Sequence, residues 1–196
     1  LAVFPLSFKE ASAVLAEMHH VDAERISALQ SRIKDFQRRE FPPGLNTGKG
    51  RAAEYKIEHI VLLTVAFEML ELGMTPDRIC TLLASAGEAI VAEAVFYCRS
   101  GGGGLLRRKT SLIYFDPRGL SDLRSGRDFV KGAAGISIGT VADLTTKFKR
   151  HAIGASRLAV IDLGGLIHDA IESIRVTLGA SIEDIVRELV AWGSAA

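Results

Sequence analysis

Apolar residues recur at helical spacing through most of this chain, and the polar positions between them are as regular. In 22–40, Ile26, Leu29, Ile33 and Phe36 fall at i, i+3, i+7 and i+10, which predicts an α-helix with one buried side. At about 100° per residue, Ser27, Ser31, Lys34 and Arg38 lie on the opposite side, with Arg25, Arg32 and Arg39 along one edge. Asp22 is the expected N-cap. Pro42 and Pro43 must end the helix, because proline has no amide hydrogen and drives its predecessor towards extended backbone. Gly44, Asn46, Gly48 and Gly50 then supply turn chemistry.

A second run, Tyr55 to Leu72, carries Ile57, Ile60, Val61, Leu63, Thr64, Phe67 and Leu70 and predicts a buried helix ended by Gly73. Thr75 as N-cap and Pro76 at the first helical position restart the chain as a helix reaching about Cys98. Upstream, Ser7 caps a short helix through Phe8, Ala11, Val14 and Leu15. In the remainder, SLIYF, GISIGTV and RLAVI have the composition of strands. Leu163 to Leu178 reads as a helix, and Ser181 caps a last one. The expected fold is mainly α (α+β): residues 1–98 form an N-terminal helical domain, 99–110 a glycine-rich basic linker, and 111–196 a small α+β domain.

Composition agrees with a globular chain, at 48% hydrophobic and 24% charged residues. No apolar run approaches the roughly 20 residues of a membrane span, and the N-terminal residues lack a signal-peptide pattern, so the expectation is a cytoplasmic protein with no membrane partner. The net charge of +1 conceals strong segregation: residues 25–56 sum to +5 and 99–150 to +7, while 57–98 sum to −5. Basic blocks of this kind suit an anionic partner. Cys80 and Cys98 are too isolated for a disulfide framework or a zinc site.

The order of short helix, basic helix, glycine-rich turn, long helix and Thr-Pro-started helix resembles the N-terminal winged helix-turn-helix of the mercury-resistance regulator (MerR) family. FKEASAVL is similar to the first helix of that family, DAERISALQSRIKDFQRREFPP to its recognition helix, NTGKGRAAEY to its wing, and LELGMTPDRICTLL to its Gly-broken helix pair. The resemblance covers roughly residues 6–84. It implies a sequence-specific transcriptional regulator of double-stranded DNA. Ser31, Lys34 and Arg38 would enter the groove with Arg39 beside them, Lys49 and Arg51 would meet phosphate or the minor groove, and the Tyr55 hydroxyl would donate to a phosphate. Such groups match what DNA requires: cations for phosphates and polar side chains for base edges.

Helix-turn-helix proteins commonly place two copies on neighbouring half-sites, so a homodimer is expected. The stripes Leu163, Ile167, Ile171, Ile174 and Ile185, Leu189, Trp192 would either cover the small sheet or pair with a second copy. In the second case truncation at Gly154 would yield a monomer that binds DNA weakly and loses its preference for two-fold sites. The C-terminal part would otherwise contact RNA polymerase or a small-molecule effector. No enzyme is expected, and no cofactor or metal. GGGGLLRRKT has Arg108 where a phosphate-binding loop needs glycine, IDLGG lacks the chain length of a sugar-kinase fold, and the five histidines show no ligand spacing. The alternative is a non-DNA adaptor, or a small enzyme with its site in the C-terminal part.

Overall fold

Local chemistry accounts for the first four helices. The computed structural model describes residues 3–45, 52–100, 111–117, 135–149 and 158–195. Helix α1 (Phe8–Met18) opens on a reciprocal capping box: the Glu10 amide donates to Ser7 Oγ at 3.3 Å, and the Ser7 amide donates to the Glu10 carboxylate at 2.8 Å. Asp22 does not cap α2. It precedes a single 3₁₀ turn, Ala23–Arg25, with no side-chain cap bond, and α2 begins only at Ile26 and runs to Arg38.

The end of α2 is a Schellman motif. The Phe41 amide reaches the Phe36 carbonyl, the Glu40 amide reaches that of Gln37, and Glu40 takes φ +58° in the left-handed region. Phe36 and Phe41 supply the accompanying apolar contact, their ring centroids 5.5 Å apart. Helix α3 (Ile57–Glu71) is buried nearly all round, as its apolar circumference requires, and Gly73 at φ +78° closes it in the same way.

Helix α4 (Pro76–Ser100) starts on the expected proline. Contrary to the reading of the apolar runs, its Pro76–Arg99 stretch is by length and composition capable of crossing a membrane. Here Ile79, Leu82, Leu83, Ile90, Val91, Ala94 and Val95 are buried, and α4 packs on α3 and on the last helix. Its apolar character serves an internal core.

The three expected strands form one antiparallel sheet, order β2-β1-β3, from β1 (Leu112–Phe115), β2 (Ser137–Gly139) and β3 (Ala159–Asp162). Ile113 pairs with Ile138 and Ile161, and with Phe115 and Ala159 they join the helical core. Leu112 and Tyr114 alternate to the other face, where the Lys147 ammonium lies 4.6 Å from the centre of the Tyr114 ring. GISIGTV is only partly strand. Thr140 and Asp143 form a capping box, the Thr140 amide donating to Asp143 at 2.8 Å, and the chain turns into helix α5 (Val141–Lys149).

Helix α6 (Leu163–Leu178) follows β3 without a loop. Asp162 caps it by accepting the Gly165 amide at 3.0 Å, and a Cβ at position 165 would stand 2.9 Å from that carboxylate. Ser181 caps α7 (Ile182–Ala195) as expected, accepting the Asp184 amide at 3.1 Å.

The expected division into two domains is not how the core is built. Helix α6 packs chiefly on α1 and also on α3, while α7 packs on α4 and α3, so one apolar cluster runs from Leu6 to Leu189. Leu163, Ile167, Ile171, Ile174, Ile185 and Leu189 are all 3% exposed or less, and Trp192 is partly buried against them. These stripes therefore neither pair with a second copy nor merely cover the sheet. They complete the core of the N-terminal helices.

Candidate nucleic-acid interface

Helix α2 has one inward and one outward side. Leu29, Ile33 and Phe36 are buried against α1 and its neighbours, and the Phe36 ring meets that of Phe67 on α3 at 5.9 Å. Arg25, Ser27, Ser31, Arg32, Lys34 and Arg38 are exposed. The structure thus brings together three of the expected site residues, Ser31, Lys34 and Arg38, on one exposed basic face.

Each is presented differently. Ser31 Oγ donates to the Ser27 carbonyl at 2.9 Å, which uses its hydrogen and leaves lone pairs to accept from a base amino group. Lys34 leans over α1, its ammonium 5.4 Å from the centre of the Phe8 ring. Arg38 keeps 75% of its side chain exposed and stands 3.9 Å from Asp35, a loose pairing that leaves the guanidinium available.

Two expected contacts are differently employed. Arg39 is held by carboxylates of the protein itself: its Nε donates to Asp35 Oδ2 at 3.2 Å, and its Nη1 pairs with Asp77 in the first turn of α4. Tyr55 is fully buried, which corrects its assignment to a phosphate. Its hydroxyl is bonded to the Gln37 amide at 2.5 Å, and burial pushes its pKa up to about 12. Its backbone forms an antiparallel bridge with Leu6, the two amide-to-carbonyl distances being 2.7 and 2.8 Å. Lys49 and Arg51 lie outside the described residues.

The sequence reading missed the residues that secure the returning end of the turn. Gln37, on the same helix as the exposed cations, holds Tyr55. His59 is 3% exposed and accepts the Lys56 amide on Nδ1 at 3.2 Å, and burial lowers its pKa. One signal was present: a lone aromatic in a polar segment, immediately before an apolar run, is the residue such a segment would bury.

A second feature lies where α3 ends beside β3 and α6. A groove of about 400 Å³ is lined by Glu68, Glu71, Asp162 and Asp169 together with the exposed Leu72 and Val160. Burial raises the Glu68 pKa, with Glu71 and Asp169 adding to the shift. His19, 3.6 Å from Glu68 and 5.4 Å from the Phe67 ring, has its pKa lowered by burial, so this contact is made by a neutral imidazole at neutral pH. Among the described residues no group of three or more His, Cys, Asp or Glu side chains is arranged to hold a metal. Burial also raises both cysteines, Cys80 and Cys98, to about 11, keeping them as thiols at neutral pH.

No protein-family model, no curated protein and no solved structure matches the chain.

Proposed function

We propose that the protein is a sequence-specific transcriptional regulator of double-stranded DNA, acting in the cytoplasm as a homodimer. In this reading the N-terminal helices are a winged helix-turn-helix, with α2 as the recognition helix and residues 44–55 as the wing. The observation that carries it is the two-sidedness of α2: a fully buried apolar face fixes the helix on the body, and Ser31, Lys34 and Arg38 project from the other side. Helices that read DNA need this combination, since the groove face must be both rigid and polar. The Leu6–Tyr55 bridge gives further support, because it returns the glycine-rich segment to the body beside the end of α2.

The test is capture of genomic DNA by the intact protein, followed by titration of the recovered duplex with Lys34→Ala and Arg38→Ala variants. Each lost base contact costs about 1–3 kcal/mol, and each lost phosphate contact lowers the slope of log affinity against log salt by about 0.9. Unchanged affinity in both variants, with folding intact, overturns the reading.

A further inference from the structure

We propose that Arg39 is a positioning residue that clasps the recognition helix to α4, and that it makes no DNA contact of its own. This rests on the DNA-binding reading above. Arg39 is the C-cap residue of α2, where the helix presents unpaired carbonyls and a partial negative charge that favours a cation. Asp77 lies in the first turn of α4, where the opposite end of a helix dipole favours an anion. The two helix ends therefore meet through side chains whose charges each end prefers. Asp35, one turn back on α2, takes the other side of the guanidinium at 3.2 Å and fixes its plane.

The contrast with Arg38 is informative. The two arginines are adjacent, yet 75% of the Arg38 side chain is exposed against 30% of Arg39. A guanidinium already held by two carboxylates has little net charge to offer a phosphate. Its effect on DNA is exerted through the angle of the C-terminal half of α2, which carries Lys34 and Arg38. The Schellman turn that follows already fixes the backbone path, so the clasp sets the tilt of the helix against α4, not its ending.

The sign of the Asp77 effect separates the two roles. If Arg39 touched DNA, Asp77→Ala would free the guanidinium and remove a repelling carboxylate, and binding would tighten. If Arg39 positions α2, Asp77→Ala weakens binding to the preferred sequence despite the lost negative charge.

The experiment uses the full chain with Arg39→Ala, Asp77→Ala, the double variant and Arg39→Lys. The probes are a duplex selected from a random pool by the wild-type protein and a scrambled duplex of equal length. Partly exposed ion pairs of this kind set the expected loss at about two- to fivefold for the selected duplex in either single variant. The double variant is expected to be no worse than the singles, the salt slope unchanged, and Arg39→Lys to recover part of the loss. Amide exchange at Phe36–Phe41 without DNA, faster in both single variants, reports the clasp independently. A salt slope lowered by about 0.9 in Arg39→Ala, or tighter binding by Asp77→Ala, overturns the proposal while leaving the DNA reading standing. A wild-type protein that selects no duplex, with exchange still accelerated in the variants, removes the DNA reading and with it any role of the clasp in recognition.

Discussion

Tyr55→Phe distinguishes a buried anchor from a phosphate contact. The substitution keeps the ring, so the burial of a side chain with 0% exposure is retained and only the bond to Gln37 is lost. An intramolecular hydrogen bond contributes about 0.5–1.5 kcal/mol net, and Gln37, being half-buried, finds water in its place, so the expected cost is about 1 kcal/mol. For a chain of this size that is a fall in Tm of about 2–4 °C. Tyr55→Ala, which empties the ring's site, costs about 3–5 kcal/mol.

High pH provides an internal control on the same residue. The folded-state pKa of Tyr55 is raised from 10.0 to about 12, so the folded protein keeps a proton that the unfolded chain releases. Stability from this group is therefore intact below pH 10 and falls as pH rises towards 12, by up to about 1.4 kcal/mol per unit. The wild-type advantage over Tyr55→Phe should vanish near pH 11 and then reverse. Denaturant unfolding of both proteins at pH 7 and pH 11 measures this, and fluorescence anisotropy with labelled duplex at several salt concentrations measures binding. A Tyr55→Phe protein of undiminished stability with weaker DNA binding and an unchanged salt slope would show the reasoning to be wrong, since the neutral hydroxyl would then face the DNA.

Other outcomes follow from the packing. Glu40→Gly relieves a left-handed residue at the end of α2 and should raise stability by about 1 kcal/mol in denaturant unfolding, whereas Glu40→Val should lower it. Gly193→Ala places a Cβ 2.8 Å and 3.0 Å from the two methyls of Val95; overpacking of about 1–3 kcal/mol exceeds the helix-propensity gain of about 1, so the variant should be less stable, and Val95→Ala in the same chain should recover part of the loss. Ending the chain at Lys149 removes β3, α6 and α7, and with them the helix on which α1 chiefly packs, so circular dichroism should show no cooperative melt; a folded fragment of that length would refute the shared core.

Much of the helical part was legible because its signals are local. Ser7 and Glu10, Pro76, Gly73 and Ser181 act within one turn of their own positions, and each does what its residue type predicts. Helix α5 escaped because Gly139-Thr140-Val141 has strand composition, and the decisive partner of Thr140 is a carboxylate three residues on. The larger misses are non-local. Periodicity identifies the apolar stripe of α6 but carries no information on whether a sheet, a second copy or α1 covers it. Arg38 and Arg39 are likewise indistinguishable until Asp77, far along the chain, is brought beside one of them. Tyr55 was misassigned for the same reason, its partners Leu6 and Gln37 lying in two other segments.

The pairing of α1 with α6 also bears on synthesis. About 145 residues separate the end of the first helix from the start of the one that covers it. At about 5–20 residues per second, the nascent chain carries Ala11, Val14 and Leu15 without their main partner for roughly 7–30 seconds. The ribosome thus delivers the N-terminal helices in an uncovered state, and their closure must await the synthesis of α6. A ribosome-bound chain halted before Leu163 would be a substrate for chaperones that hold apolar helices, and a chain carried through α7 and clear of the ribosome would not.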